Sequence, residues 1–547
     1  MGHVKPEIIE RLQEVGVVVF TNKGEIKTSD LHSPHLKELS AIFQSDSELF
    51  NGVFYGEEPK IVHVTQEEVQ RELSLLVQNN SSKLTRKKDE TKVGDDLRSL
   101  LTTALDKKAS DIHVIVTDTE TIFKGRIDGA LTQLIPNKSR EYGENILSYA
   151  FMRMGQTTGY SLKSDLDATF SLPLTKNDDV QHDYDWRISQ LNTVDGSKAT
   201  IRNLDSPDAS NTPSLDDLGL TEGHKKYVEE TLMANQGAFF LSGPTGSGKT
   251  TTICSAILWA ATDESRLFHT LEDPVEWNLA PENVIQTSVN PTARISEDVA
   301  GFKDFAYFGK KLLRNDTDVV FIGEIRDHQV AKTALRMANT GQIAIATLHC
   351  NSALDIVGEL MQQMDINPAL LGSKGVISAL AHQRLVRKIC PTCHLSYKYV
   401  EDHYSDLEDS LQEAFTKVNT LIENEINNGR RFKNDEPSKM IERVKRVKSN
   451  IKFKNSKGCQ HCIKGEKGRT ALFEMVLLDD YARDCIKKSD LAAWERDLKE
   501  RNWPSIKDHG VQKIFSGIAD IRSVERELSN LNKKPIDEMF DEMWGEF

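Results

Sequence analysis

Past Leu218 the chain alternates short apolar runs with longer polar, periodic stretches. GAFFL, RLFHTL, DVVFIGE and QIAIATL are each as uniformly apolar as a strand buried on both faces, and each is followed by polar or glycine-containing sequence. This pattern predicts a mostly parallel sheet covered by helices. Upstream the rhythm differs. From Leu97 a helical pattern, LRSLLTTALDKKASD, leads into alternating segments such as IHVIVTD and ETIFKGRIDG that continue to about Leu204, so residues 97–205 read as an α+β domain. Residues 1–78, with VGVVVF and HLKELSAIF, read as a small separate unit of a strand or two and some helices.

Between them, 79–96 (NNSSKLTRKKDETKVGDD) has dense charge and no hydrophobic period, which predicts a flexible linker. Residues 206–213, rich in Ser, Pro, Asn and Asp, predict a hinge. Beyond it, 214–389 form the expected main core and 390–475 a smaller subdomain. The charged, partly heptad-like stretch 401–450 is a helical insertion, and 476–547 is a largely helical C-terminal part broken at Asn502-Trp503-Pro504. The fold class expected is α/β: a core of parallel strands and covering helices preceded by an α+β domain, with a smaller subdomain and a helical C-terminal region after it.

A chain of 547 residues is too long for one core. The formal charge of −14 argues against an electrostatic grip on nucleic acid. No apolar run reaches the ~20 residues needed to span a bilayer, and Met1 to Phe20 lacks a signal-peptide apolar core. A cytoplasmic location is therefore expected. Seven cysteines form no disulfide framework, and four of them stand as two C-x-x-C pairs.

Gly243-Pro244-Thr245-Gly246-Ser247-Gly248-Lys249-Thr250 matches the phosphate-loop pattern in full, after an apolar strand and before a helix that opens at Thr251. Glycines let backbone N–H groups curl around phosphates, and the helix N-terminus adds its positive end. Lys249 supplies a point charge for the β- and γ-phosphates of ATP, and the Thr250 hydroxyl a magnesium ligand. An ordinary glycine-rich turn is the bland alternative, disfavoured because strand, loop and helix occur in order. Glu324 ends the apolar strand Val319 to Gly323, which places an acid at the sheet edge for magnesium. Glu272, Asp273 and Glu276 follow another apolar strand, and either cluster can supply the general base.

Cys390, Cys393, Cys459 and Cys462 have knuckle spacing suited to tetrahedral zinc. The 65 residues between Cys393 and Cys459 exceed usual ribbon spacing, which the insertion explains if both its ends return to the metal. A redox C-x-x-C is the weaker reading, since no thioredoxin-like unit surrounds either pair. Cys254, Cys350 and Cys485 read as buried or incidental thiols.

The order GPTGSGKT, LEDPVEW, LLRNDTDVVFIGEIRD, TGQIAIATLHCNSA and QRLVRKICPTC resembles the secretion-ATPase superfamily over roughly residues 97–530, and within it the type II secretion and type IV pilus assembly ATPases. The resemblance implies a RecA-like P-loop ATPase core over 214–389 with a tetracysteine zinc-binding subdomain over 390–475, and a homo-hexameric motor that hydrolyses ATP and moves an inner-membrane platform protein, with peripheral membrane association through partners. It implies Glu276 as the catalytic base, Glu324 as the acid of the magnesium strand supported by Glu272 and Asp273, and His349 as the γ-phosphate sensor. It implies that Arg187 and Arg202, in DWRIS and TIRNL, reach the phosphates from the preceding domain. Without the resemblance they would read as surface charges on strands. Gln342 stands where the family often has histidine, which puts a two-histidine switch in doubt. Assembly-type members carry a tetracysteine subdomain that retraction-type motors generally lack, which tilts the expectation toward extension or secretion. The short N-terminal unit and the insertion suggest a type IVb or conjugative thin-pilus branch. The alternatives are a pilus retraction motor, a nucleic-acid-translocating ATPase and a zinc-ribbon nucleic-acid binder, the last two opposed by the acidic balance.

Overall fold

The computed structural model describes all residues except 1–5, 22–23, 46–54, 156, 158, 176–180, 205–211, 292, 296–300, 429–435, 530 and 532–547. It divides into two compact units, one made of 1–127 with 131–203 and the other of 128–130 with 204–547. Most of the expected hinge, 206–211, lies outside the described residues.

In the first unit a three-stranded sheet, Val18–Phe20, Glu25–Thr28 and Lys60–His63, closes over a core that includes Leu12, Phe20, Ile26, Leu39 and Phe43. A second sheet has six strands; Asp111–Val116 pairs antiparallel with both Glu120–Ile127 and Gly196–Asn203. Gln181–Thr193 then lies between Gly196–Asn203 and Leu166–Thr175. One helix of 41 residues, Gln66–Asp106, serves both cores: Val69 and Leu73 belong to the first, and Leu97, Leu100, Leu101 and Ala104 to the second. The stretch 79–96 is thus the middle of a helix and not a flexible linker. Its Lys, Arg and Glu are good helix formers, there is no proline, and the first glycine is Gly94. Charge without an apolar period does not by itself separate a loop from a charged helix.

The second unit is built on a seven-stranded sheet. In spatial order its strands are Val284–Ser288, Phe268–Glu272, Val319–Ile322, Ile343–Leu348, Gly237–Ser242, Ile377–Ile389 and Glu466–Leu477. The first six are parallel, and the last runs antiparallel at the edge. Alternate residues of each central strand enter opposite cores: Phe239 and Leu241 pack with Ile253 and Ile257, whereas Ala238 and Phe240 pack with Ala334 and Leu335. Both faces being covered, the strands read as unbroken apolar runs.

The insertion leaves and rejoins the chain at a two-residue antiparallel ladder in which Leu395 faces Phe453 and Ser396 faces Lys452. Between these lie helices Tyr397–Asp402, Asp409–Asn428 and Pro437–Asn450. Leu411, Val418 and Ile422 of the insertion share a core with Ile514, Phe515, Ile521 and Val524 of the C-terminal helices. Among the described residues no helix is long and apolar enough to cross a membrane.

Candidate nucleotide site and cysteine cluster

Because the central strands are parallel, everything that follows their C-terminal ends gathers along one edge. The loop 243–248 leaves Ser242 there and feeds the helix Lys249–Ala260. Gly243, Gly246 and Gly248 have φ of 153°, 76° and 82°, a region costly for any residue with a Cβ. A Cβ on Gly243 would lie 2.3 Å from the Gln383 carbonyl oxygen. The loop therefore curls with its backbone bare, and that cradle fits a nucleotide's phosphates. Lys249 is buried beneath it; its Nζ donates to the Gly243 oxygen at 2.7 Å and the Pro244 oxygen at 3.3 Å. Burial lowers its pKa, opposed by the nearby charges of Glu324 and Glu276.

Gln383, fully inside the sheet, braces the loop from the next strand. Its Nε2 donates to the Ser247 oxygen at 2.8 Å, and its Oε1 accepts from Thr252 Oγ1 at 2.8 Å. Next to it His382 Nδ1 meets Ser242 Oγ at 2.9 Å, and burial pushes that imidazole down to about 3, which keeps it neutral. At the far strand of the sheet, Arg469 reaches the Gly246 oxygen at 3.4 Å.

Two strand ends supply the acids and a third supplies His349. Glu324 Oε1 lies 3.1 Å from His349 Nε2, and its Oε2 accepts from Arg326 at 2.7 Å. Arg326 also approaches Asp273 at 3.8 Å, and the Glu324 bond raises its pKa. Glu272 is buried; its Oε1 accepts from Thr270 at 2.7 Å and Gln286 at 3.0 Å, while its Oε2 has no hydrogen-bond partner among the described residues. Burial raises its pKa, although Thr270, Gln286 and the Glu276 backbone N–H all favour the anion. Glu276 itself is exposed. The Thr250 hydroxyl position, Glu324 and the unpartnered Glu272 oxygen are hard oxygen donors on one edge, a set that fits magnesium and its waters.

Gln342 stands at the opposite end of the sheet, before the strand that ends at Leu348. Its Nε2 donates to the Thr317 oxygen at 2.8 Å and the Leu312 oxygen at 3.4 Å. A six-residue strand, about 20 Å long, separates it from His349. Here the residue ties two loops together and takes no place in the cluster.

Arg187 and Arg202 belong to the first unit, where they face each other across neighbouring strands. Both are exposed, and Arg202 is held by the buried Asp111, with Nη2 and Nε at 2.7 and 2.8 Å from Oδ1.

The four cysteines meet at the open end of the hairpin made by Ile377–Ile389 and Glu466–Leu477. All four Sγ atoms lie within 4.8 Å of one another; Cys390 and Cys459 are 3.8 Å apart, and Cys462 is 3.6 Å from both Cys393 and Cys459. A tetrahedral zinc with Zn–S of about 2.3 Å sets its sulfurs about 3.8 Å apart, so the spacing fits that ion and excludes disulfides as the cause. Burial resists ionisation of the Cys390 thiol, but the Thr392 and Cys393 N–H groups outweigh it and lower its pKa.

Sequence reasoning passed over Arg326, Gln383, His382 and Arg469. Arg326 stood in plain view in GEIRD, as a fixed cation two residues from the strand-end acid. The others depend on contacts between distant parts of the chain.

A glycine-lined cradle on a parallel sheet, with its lysine and an edge of acids beside it, has the groups that a nucleotide-binding protein needs for phosphates. The chain belongs to the family described as Type II/IV secretion system protein, which it matches over residues 86–526, and so to the secretion and pilus ATPases. It is 31% identical over 424 residues to a putative type II secretion system protein E of Escherichia coli K12, covering 77% of this chain and 74% of that one. It is 30% identical over 439 residues to the type IV pilus assembly ATPase PilB of Thermus thermophilus, covering 80% and 43%. Its fold is similar to that of the Legionella pneumophila ATPase DotB at a TM-score of 0.51, with 16% identity over 79% of this chain and 94% of that one.

Proposed function

We propose that the protein is a RecA-like ATPase motor that works as a hexamer at the cytoplasmic face of the inner membrane, moving a platform protein to assemble a type IV pilus or drive type II-like secretion. The observation that carries this reading is the meeting, on one sheet edge, of the Lys249 loop with the Glu324–His349–Arg326 cluster. In this reading Lys249 gives up the Gly243 and Pro244 carbonyls for the β- and γ-phosphates, and Gln383 keeps the loop in shape while it does so. Glu276, exposed and near enough for its charge to act on Lys249, accepts a proton from the attacking water. Glu324, Thr250, Glu272 and Asp273 hold magnesium, which when bound neutralises phosphate charge. His349 reads the γ-phosphate through its bond to Glu324. Arg187 and Arg202 add guanidinium charge from the first unit, Arg202 after parting from Asp111. The four cysteines hold a structural zinc, and that group favours assembly or secretion over retraction.

The test is enzymatic. Lys249→Ala should lose most nucleotide affinity. Glu276→Gln should bind ATP normally but hydrolyse it at least about a hundredfold more slowly, since only water activation is removed. Wild-type turnover by Glu276→Gln would move the base to another of the edge acids. Light scattering in the presence of ATP by the slow variant should report six copies.

A further inference from the structure

His349 stands between two anchors on the stem of the phosphate loop. Before it, the Leu348 oxygen accepts from the Gly243 N–H at 3.3 Å. After it, the Ser352 oxygen lies 3.2 Å from Ser242 Oγ, the hydroxyl that also meets His382. The N–H of that same Ser352–Ala353 peptide is gripped from the other side, where it donates to Glu474 Oε1 at 2.9 Å. Glu474 Oε2 accepts from the Ile506 N–H at 2.8 Å, at the first residue of helix Ile506–Phe515. One carboxylate therefore joins the segment that carries His349 to the start of a C-terminal helix.

Glu474 comes from strand Glu466–Leu477, in register with His382 on the neighbouring strand, and is only 3% exposed. Burial raises its pKa, while the Ala353 and Ile506 N–H groups and the charge of Arg384 favour the anion. Taking a carboxylate out of water is costly, and an uncharged side chain would occupy this place more cheaply. What the charge adds is firmness, because N–H bonds to a carboxylate are shorter and stronger than neutral ones. The mechanism proposed above needs such firmness at His349, whose Nε2 must stay within reach of Glu324. We infer that Glu474 is a positioning residue for hydrolysis: it fixes the Ser352–Ala353 peptide, and through it His349, against the phosphate loop and the start of helix Ile506–Phe515. The inference rests on the reading of His349 as the γ-phosphate sensor.

Glu474→Gln tests it in the full-length protein. The variant keeps the shape but exchanges one oxygen for an NH2 group, so one of the two backbone N–H groups must face a donor. We expect kcat to fall about tenfold, KM for ATP and affinity for ADP to stay within about twofold, and hydrogen exchange in 349–353 to speed up about tenfold. Ile506→Pro removes the helix-side N–H at a position that accepts proline, after a Ser505 whose ψ is already 169°. In Glu474→Gln/Ile506→Pro the NH2 group no longer opposes a donor, and the remaining oxygen can take the Ala353 N–H. This double variant should recover kcat and slow exchange to within about threefold of Ile506→Pro alone, a rescue that general loss of stability would not give. Wild-type kcat in Glu474→Gln, a loss confined to KM, or a double variant no faster than Glu474→Gln would each overturn the inference. His349→Ala, assayed alongside, separates the two readings. Slow turnover by His349→Ala beside full turnover by Glu474→Gln overturns this inference alone, whereas full turnover by His349→Ala overturns the sensor reading and this inference with it.

Discussion

Gln383 shows how much of a phosphate loop is made by residues outside it. Its amide satisfies a loop carbonyl and a helix hydroxyl at once, and both are buried. Gln383→Ala leaves the two without partners, at a cost of about 2 kcal/mol. Nucleotide affinity should fall roughly tenfold while the fold survives, which titration with a fluorescent nucleotide will report. Three imidazoles should govern acid sensitivity. Burial lowers His224 to about 4 and His382 and His509 to about 3, all below the ordinary value of 6.5. The unfolded chain therefore binds more protons than the folded one. Stability is full above about pH 6.5 and declines as pH falls from there toward 4, with up to about three protons taken up on unfolding. Urea melts between pH 7.5 and 5 will measure this decline, and His509→Gln should flatten it. At this scale GPTGSGKT and the strand-end acids were legible because spacing alone reveals them. Gln383 was not, since its partners lie 131 and 136 residues away.

Elements were legible where an apolar period marked them and obscure where charge did. The buried strands announced themselves, whereas the middle of helix Gln66–Asp106 gave dense charge with no period. Thr65 caps this helix by accepting from the Glu68 N–H, a signal hidden in an otherwise unremarkable TQEE. Thr65→Ala should lower the stability of the helix's first turns by about 1 kcal/mol, visible as faster exchange in residues 66–70. For the cysteine cluster, elemental analysis of the purified protein should find one zinc per chain. Cys390→Ser or Cys459→Ser should lose it and loosen residues 380–475; a metal-free protein of undiminished stability would refute the site.

On the scale of the whole molecule, the antiparallel facing of Arg187 and Arg202 offers a sharp experiment. Changing both to alanine leaves the phosphate loop untouched, so nucleotide should still bind, though more weakly, while hydrolysis falls on the order of a hundredfold. In the proposed hexamer, titrating this variant into wild-type protein should depress activity per wild-type subunit faster than in proportion, because one stalled subunit would hold back its neighbours. A strictly linear decline would mean that subunits act alone. Sequence distance is a poor guide to proximity at this scale, and the cysteines make the point. The 65 residues between the inner two would, as a loose loop, dilute one thiol pair in the presence of the other. The Ser396–Lys452 ladder closes that loop through backbone pairing, with no sulfur taking part. The second pair is thus presented to the first at a high effective concentration, and a metal bound by all four should be held as if the excursion were only a few residues long. In a competition against a colorimetric chelator, zinc should be held as tightly as by knuckles joined through a short turn, and breaking the ladder with Leu395→Pro should weaken that hold while all four sulfurs remain.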